Sequence, residues 1–376
     1  MLKVLFFIET LGGGGAEKVL CDLVNHMDRS KFDITVQTLW PSDGRKKLAD
    51  WIRYKSVYPS RSRLNMARMR AESALGLTYR LHIRDDYDIE AAYLEMGSTK
   101  IIASSDNKKA GKVAWVHCDL AIQMGDALQR YRAKAAPQYS RFDRVACVSE
   151  DVLRSFRELF GDTPPSCVIH NTVDDAEILR MAGEPLPEGV KKRRMTAVTL
   201  GRLTHQKAYD RLLKVHKQLV DEGYEYDLWI LGEGEERARL EAYAKENGLT
   251  DSVRFFGFRN NPYPFVKCAD LLVCSSRFEG LSTFVTEGLI LGKPIVTTDC
   301  TGMRELLGDS EYGFITPNSR EGLYAGMKKC LSEPALLKLY EERAGARGKD
   351  FSAEALTRKT EAFLENAAKE KRPGRR

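Results

Sequence analysis

Residues 270–299 have the sequence DLLVCSSRFEGLSTFVTEGLILGKPIVTTD, and this stretch decides the fold class. A short apolar run at 270–276 is followed by a helical segment from about Phe284 to Leu291 and by a second apolar run at 293–299. Short continuous apolar strands on either side of a helix are typical of a parallel sheet that is covered on both faces. The stretch therefore predicts an α/β protein.

The same alternation extends in both directions along the chain. It is interrupted at residues 183–194, GEPLPEGVKKRR, whose prolines, glycines and cations are typical of a linker. Two doubly wound, Rossmann-like α/β domains are predicted over 1–188 and 189–350. The remaining segment, 351–376, begins with a helix that we expect to cross back to the N-terminal domain and ends in a basic tail. Further strand-like runs are 3–8, 34–39, 89–94, 112–117, 144–149 and 166–171, then 195–203, 226–234, 253–258 and 312–317.

Composition points to a globular protein of the cytoplasm. Hydrophobic residues make up 43% and charged residues 30% of the 376 positions, and the net charge of +6 is mildly basic. The eight cysteines include no CxxC pair, which favours reduced thiols over a zinc site. No apolar run reaches the ~18–20 residues of a membrane span, and the apolar stretch after Lys3 is shorter than the ~7–15 residues of a signal peptide.

Two glutamates in the opening stretch are candidate ligand contacts. Glu279 and Gly280 follow the strand at 270–274 directly, and ligands of open α/β folds collect at the carboxyl ends of strands. Ser282 or Thr283 is placed to cap the next helix, whose N-terminus would attract a phosphate. Glu287 lies one turn inside that helix, where a carboxylate can accept hydrogen bonds from a ribose diol. The alternative is a solvated helix carboxylate and a turn glutamate.

Two cations follow the first strand of the second domain, in LGRLTHQKAYDRLL at 200–213. Arg202 lies at the strand end and Lys207 near the start of the next helix. Together they could clamp a diphosphate, Arg202 through its bidentate fork and Lys207 as a point charge. The alternative is a pair of ordinary surface cations.

Glycines 12–15, in TLGGGGAEKVL, lie between the first strand and the first helix. Such a loop lets the backbone approach a ligand closely, although a flexible turn is the alternative. The spacing is neither G-x-G-x-x-G nor a Walker A loop, which disfavours a dinucleotide site and hence a Rossmann dehydrogenase.

Two further features involve polar residues at strand ends. His117 ends the strand at 112–117 and could bond a sugar or act on an acceptor hydroxyl, or it could be a packed core histidine. Asp86-Tyr87-Asp88 spells an Asp-x-Asp, which holds a metal in some sugar-transfer enzymes. Here it lies in a polar turn before an apolar strand, so we interpret it as solvated and expect no divalent metal.

Together these segments resemble the retaining glycosyltransferases of family 4, whose GT-B fold has two Rossmann-like domains facing a cleft. The resemblance covers nearly the whole chain and is strongest over 195–317. One departure is Ala208, where a glycine commonly follows the lysine; at a helix start we expect its methyl group to be tolerated. The matching motifs are Gly14-Gly15-Ala16-Glu17, Gly201-Arg202 with Lys207, Leu231 to Gly234, Glu279-Gly280 with Glu287, and the VIxN pattern at Val168, Ile169 and Asn171.

The resemblance implies a role for each candidate. Arg202 and Lys207 would hold the donor pyrophosphate. Glu287 would bind the ribose, Glu279 would contact the transferred sugar, and His117 would face that sugar. The main chain near Phe258 would meet the base. The implied catalytic set is Glu279, His117, Arg202 and Lys207, and the implied donor-binding set is Gly14, Gly15, Arg202, Lys207, Phe258, Glu279, Gly280, Leu281, Ser282, Thr283 and Glu287.

The implied activity is the transfer of a hexose or N-acetylhexosamine from a nucleotide sugar to a hydroxyl of a lipid-linked or glycan acceptor. The transfer would retain the anomeric configuration and need no metal. The EGLSTFVTE segment resembles the subgroup that uses UDP-sugars. No cofactor is expected. The alternatives are a UDP-sugar epimerase or hydrolase on the same fold and a non-catalytic nucleotide-sugar-binding protein.

Residues 45–84 are rich in cations with interleaved aromatics. This segment could hold the enzyme against the anionic inner face of the cell membrane, or it could be a solvated surface. No motif supports nucleic acid as a partner.

Overall fold

The structure of the protein is a computed structural model that describes residues 1–12 and 14–371. Gly13 of the glycine loop and residues 372–376 of the basic tail lie outside the described residues. The chain forms two compact units. Unit 1 comprises Met1–Val173 with the C-terminal segment from Ala353, and unit 2 comprises Asp174–Ser352.

Unit 1 is built on a parallel seven-stranded sheet with the order β3-β2-β1-β4-β5-β6-β7. Its central strands are apolar on both faces because helices cover both sides of the sheet. The strands are β1 (Leu2–Ile8), β2 (Phe32–Thr38), β3 (Arg53–Ser56), β4 (Ile89–Ala92), β5 (Gly111–Val116), β6 (Arg144–Cys147) and β7 (Ser166–Val168). The helices are α1 (Gly15–His26), α2 (Arg63–Ala74), α3 (Thr78–His82), α4 (Gly97–Ala103), α5 (Leu120–Met124), α6 (Leu128–Tyr139) and α7 (Glu150–Phe160).

Unit 2 has a parallel six-stranded sheet with the order β10-β9-β8-β11-β12-β13. Its strands are β8 (Thr196–Leu200), β9 (Asp227–Leu231), β10 (Val253–Gly257), β11 (Leu271–Cys274), β12 (Ile295–Thr298) and β13 (Phe314–Thr316). Its helices are α8 (Asp175–Ala182), α9 (Tyr209–Asp221), α10 (Arg237–Glu246), α11 (Tyr263–Cys268), α12 (Thr283–Ile290), α13 (Met303–Leu307), α14 (Arg320–Ser332) and α15 (Pro334–Gly348).

The last helix, α16 (Ala353–Lys371), returns to unit 1 after unit 2 is complete. The ring of Phe363 packs edge-on against Trp115 of β5, with their centroids 5.4 Å apart. A Cβ at Gly111 would lie 2.7 Å from the carbonyl oxygen of Ala367, so only glycine allows this close approach. Glu361 accepts a hydrogen bond from the backbone N–H of Asp28 at 2.7 Å. The predicted return helix is thus confirmed, together with two doubly wound α/β domains.

The basic segment 45–84 contains structure that its composition did not predict. β3 forms the edge of the unit 1 sheet, and its Arg53 and Lys55 pair with Asp33 and Asp85. Charged side chains on an edge strand discourage pairing with another chain. Among the described residues, no helix is both long and apolar enough to cross a membrane.

Candidate active site

The candidate site in unit 2 begins where the strand order reverses, between β8 and β11. Since the strands are parallel, the loops after β8 and β11 leave the same edge of the sheet side by side. That edge, at a switch point, is where doubly wound folds bind ligands. Lys207 lies in the loop after β8 and Glu279 in the loop after β11, as the sequence predicted.

Lys207 and Glu279 form an ion pair at the centre of this edge. The Lys207 Nζ lies 2.6 Å from Glu279 Oε1, and the Ser276 hydroxyl donates to the same oxygen at 2.6 Å. Glu279 is 6% exposed. Burial by itself lowers the pKa of Lys207, but the negative charge of Glu279 outweighs it, and the net shift of that pKa is upward. The lysine is therefore a fixed positive charge at neutral pH.

The helix α12 begins beside this pair with Ser282 as its N-cap, one of the two predicted caps. The Ser282 hydroxyl accepts a hydrogen bond from Val285 N at 3.5 Å. Gly280 and Leu281 form the turn that enters the helix, and Thr283 is its first residue. The N-terminal N–H groups of a helix have no partner within it and favour an anion.

Glu287 lies one turn inside α12, as predicted, and is 4% exposed. The hydroxyl of Tyr263 on α11 donates to Glu287 Oε1 at 3.0 Å. This bond fixes the direction of the carboxylate, a constraint that the sequence did not reveal.

Arg202 is exposed and, within residues 1–12 and 14–371, forms no side-chain ion pair. The LGEG motif explains how its loop is supported. A Cβ at Gly232 would lie 1.9 Å from Gly201 O, and one at Gly234 would lie 2.3 Å from Leu203 O. Glycine at these positions lets the loop after β9 pack directly on the loop that carries Arg202. Phe258, which follows β10 after the left-handed Gly257, is 58% exposed.

Ala208 does not lie inside a helix start, as the sequence interpretation assumed. It caps α9 with φ +55° and ψ +39°, the left-handed conformation, and it is fully buried. An L-residue with a Cβ pays roughly 1–2 kcal/mol there, whereas glycine does not. Glycine is common at this position because it adopts the left-handed conformation without strain. The backbone of Ala208, next to Lys207, is therefore strained.

In unit 1, the glycine loop leads into α1 with Gly14 as N-cap and Gly15 as the first helical residue. A Cβ at Gly14 would lie 2.2 Å from Glu17 Oε2, so the Glu17 carboxylate folds over this backbone. The Glu17 carboxylate thus occupies the space that a Cβ at Gly14 would need, and close approach of a ligand to this glycine stays a prediction.

His117 follows β5 at the same edge of the unit 1 sheet. Its ring packs on Tyr93, with centroids 4.9 Å apart, and its buried Nε2 has no hydrogen-bond partner among the described residues. Burial lowers the pKa of His117 to about 4, so the ring is neutral at physiological pH. An unpaired imidazole nitrogen has the chemistry to accept or donate a proton.

Two carboxyl groups at this edge of the unit 1 sheet were missed by the sequence analysis. Glu95 is 8% exposed and accepts the backbone N–H groups of His117 and of Cys118, the latter at 3.1 Å. Glu9 lies against Gly97, where a Cβ would be 2.0 Å from Glu9 Oε1. Burial raises the pKa of both carboxyl groups. Their position just after β1 and β4 was the available signal.

The Asp-x-Asp sequence, Asp86-Tyr87-Asp88, has a structural role. Asp88 Oδ2 accepts the backbone N–H of Lys3 at 2.9 Å, and Tyr87 is 2% exposed. In the part of the chain that the structure describes, no three His, Cys, Asp or Glu side chains are grouped so as to hold a metal ion. All eight cysteines are free thiols.

Two family models match the chain. The description "Glycosyltransferase Family 4" applies to residues 13–177, and "Glycosyl transferases group 1" applies to residues 186–351. With the two Rossmann-like sheets, these matches identify the chain as a glycosyltransferase of the GT-B fold.

Among individual proteins, the chain is similar to N-acetylgalactosamine-N,N'-diacetylbacillosaminyl-diphospho-undecaprenol 4-alpha-N-acetylgalactosaminyltransferase of Campylobacter jejuni. They share 29% identity over 60% of this chain and 61% of that relative. An uncharacterized glycosyltransferase of Haemophilus influenzae is 28% identical over 97% of this chain and 100% of its own. The Anabaena protein Alr3699/HepE, solved with UDP and glucose, superposes with a TM-score of 0.78 at 19% identity, covering 97% of this chain and 100% of its own.

Proposed function

We propose that this glycosyltransferase moves a hexose or N-acetylhexosamine from a UDP-sugar to a hydroxyl of a lipid-linked or glycan acceptor, with retention and without a divalent metal. The observation that carries the proposal is the edge of unit 2, where Lys207, Glu279 and the N-terminus of α12 lie together. Fixed positive charge beside a buried carboxylate suits a molecule that carries a diphosphate at one end and a polyhydroxyl ring at the other.

The names of the relatives support the choice of substrates. The Campylobacter jejuni relative is named for a diphospho-undecaprenol acceptor, and a Rhizobium meliloti relative, 27% identical over 60% of this chain and 64% of its own, is named for lipopolysaccharide core biosynthesis. The Anabaena structure holds UDP. These names favour a UDP-linked donor and an envelope glycan acceptor for this chain.

In the proposed reaction, the acceptor oxygen bonds to C1 of the sugar while the bond from C1 to the β-phosphate oxygen breaks. The acceptor proton passes to the departing phosphate on the same face, so the configuration at C1 is retained. Lys207, Arg202 and the helix N-terminus stabilise the negative charge that develops on UDP. We assign Glu279 to the hydroxyls of the donor sugar and His117 to the reacting side of unit 1.

The donor is tested by thermal shift with UDP-, GDP- and ADP-sugars, because a ligand that binds only the folded state raises the melting temperature. We expect the UDP-sugars to give the largest shift and Lys207→Met to remove it. Glu246→Gln, on the exposed face of α10, is the matched control and should keep the shift. Equal shifts with all three nucleotides would refute the UDP preference.

Retention and metal independence are tested on the product. We expect NMR of the transferred sugar to show the anomer of the donor, and turnover to be unchanged by EDTA. An inverted anomer, or activity that EDTA abolishes and Mg²⁺ restores, would contradict the proposal. Consumption of the donor at the same rate without acceptor would instead favour the epimerase or hydrolase, and binding without turnover would favour a sensor.

We also propose that unit 1 docks on the cytoplasmic face of an anionic membrane through helix α2. Leu64 and Leu75 of this region are 79% and 72% exposed, and Arg63 and Arg70 are exposed beside them. Exposed apolar and basic side chains on one helix are suited to a headgroup surface.

Vesicles containing phosphatidylglycerol should sediment the protein at low salt. The double variant Arg63→Glu with Arg70→Glu should reduce the fraction of protein that sediments with the vesicles, whereas Lys338→Glu on α15 should leave it unchanged. Equal sedimentation of these variants would contradict docking through α2.

A further inference from the structure

Arg211 is a buried cation in the first turn of α9, four residues after Lys207. It is 9% exposed, and its guanidinium is directed at the carboxyl edge of the unit 2 sheet. It donates to Ser275 O from Nε at 2.9 Å and from one terminal nitrogen at 2.6 Å. The same terminal nitrogen lies 2.8 Å from Ser276 O, 3.4 Å from Thr298 Oγ1 and 2.8 Å from Asn318 Oδ1.

No carboxylate pairs with Arg211 among the described residues, which distinguishes it from the ordinary structural arginine. Burying an unpaired charge is costly unless hydrogen bonds replace its hydration. Here four neutral oxygens do so, and they come from the loop after β11, the last residue of β12 and the loop after β13. A guanidinium offers five N–H donors in a fixed planar fork, against three on the compact ammonium of a lysine, so it can reach acceptors from several segments at once. The arginine therefore fixes the relative positions of these loops.

The two serines that Arg211 holds in place also contact Lys207 and Glu279, the candidate catalytic pair. The Ser275 hydroxyl donates to the carbonyl oxygen of Lys207 at 2.7 Å, and the Ser276 hydroxyl donates to Glu279 at 2.6 Å. Thr298 Oγ1 donates to Ser276 O at 2.6 Å. The contacts form a closed ring from Arg211 through the two serines to Lys207 and Glu279, whose charged ends meet.

We propose that Arg211 is a positioning residue for donor binding, which holds the Ser275–Ser276 backbone so that Lys207 and Glu279 meet the donor in one geometry. The proposal rests on the donor site described above, although the geometry of the ion pair can be measured without any substrate. Arg211 acts through Lys207 and Glu279 and needs no contact with the donor.

The first measurement follows the ion pair itself. Acylation of Lys207 by a water-soluble amine reagent, followed by peptide mass spectrometry, reports how firmly Glu279 holds the ammonium group. We expect Arg211→Met to speed acylation of Lys207 by about tenfold, on the scale of one lost charged hydrogen-bond network. Arg194→Met is the control: Arg194 pairs with the buried Asp227 at 2.8 Å at the opposite edge of the same sheet. Equal rates in wild type and Arg211→Met would overturn the proposal.

The second measurement is a double-mutant cycle on UDP affinity by calorimetry. If Arg211 acts through Lys207, Arg211→Met should weaken UDP binding by about tenfold in the wild type and by less than about threefold in Lys207→Met, because residues in one network are not additive. A general loss of stability would give the same factor in both backgrounds, which would overturn the proposal. If faster acylation occurs in a protein that binds no UDP, the positioning role stands and the proposed donor is wrong.

Discussion

Buried ionisable groups lie at the carboxyl edges of both sheets, but their charged forms are stabilised in unit 2 and disfavoured in unit 1. In unit 2, Lys207 and Glu279 neutralise each other at 2.6 Å, and Arg211 is hydrogen-bonded to four neutral oxygens. In unit 1, burial raises the pKa of Glu9 and Glu95 and lowers that of His117, so all three are pushed toward their neutral forms.

This difference indicates two kinds of chemistry. Groups that stay charged in a fixed geometry can stabilise a charged leaving group at little reorganisation cost. Groups that burial shifts toward neutrality can exchange protons within the accessible pH range. Unit 2 therefore suits the nucleotide diphosphate, and unit 1 suits hydroxyl chemistry.

The largest effect should come from the buried carboxylate of unit 2. Glu279→Gln keeps the shape of the side chain but removes the charge that pairs with Lys207, and we expect kcat to fall by about 10³-fold, the upper range for one preorganised electrostatic group. Initial rates of UDP release in the presence of acceptor measure it, with Glu246→Gln as a control. A variant within threefold of the wild type would remove Glu279 from the mechanism.

The next effect concerns His117 in unit 1. Because the proposed nucleotide site lies in unit 2, His117→Gln should lower kcat by about 10²-fold or more, the typical contribution of a proton-transfer group, and leave the UDP dissociation constant within about twofold. Calorimetry and steady-state kinetics on one preparation separate the two quantities. A variant that loses UDP affinity as strongly as turnover would show that the two units do not divide the chemistry in this way.

The third prediction is a pH dependence of stability. The pKa of His117 is about 4 in the folded chain and near its ordinary 6.5 when unfolded. The unfolded chain therefore binds more protons between these values, and the stabilisation is lost as pH falls from 6.5 toward 4. Urea unfolding at pH 6.5 and pH 5 should show the wild type losing up to about 2 kcal/mol more than His117→Gln, at about 1.4 kcal/mol per pH unit. The raised carboxyl pKa values of Glu9 and Glu95 act in the opposite sense and are common to both proteins. Equal losses of unfolding free energy in the two proteins would mean that burial does not lower the pKa of His117.

The smallest effect is at Ala208. Its left-handed backbone predicts that Ala208→Gly raises the free energy of unfolding by about 0.5–1 kcal/mol, since relief of roughly 1–2 kcal/mol of strain exceeds the entropy that glycine adds to the unfolded chain. Ala242→Gly, in the exposed middle of α10, should instead lose about 1 kcal/mol. If both variants are destabilised alike, the strain at Ala208 is absent.

Much of the fold followed from local pattern. The alternation of apolar runs and helices predicted both sheets, and Ser282 was among the two expected caps. The strand β3 escaped notice because its charged residues lie at a sheet edge, where the apolar signal of a buried strand is lost. The left-handed Ala208 was missed because alanine gives no sequence signal for that conformation.

By itself, the sequence determined which residues stand at strand ends and helix starts, because hydrophobic periodicity encodes burial over short distances. It therefore brought out Lys207, Glu279, Glu287 and His117 as candidates. Only the tertiary structure decided that β8 lies beside β11, which brings Lys207 to Glu279 across 72 positions of chain and Arg211 to the loop of Asn318 across 107. Sheet order, and the hydrogen bonds between loops that it permits, are properties of the whole packed unit and have no local signature.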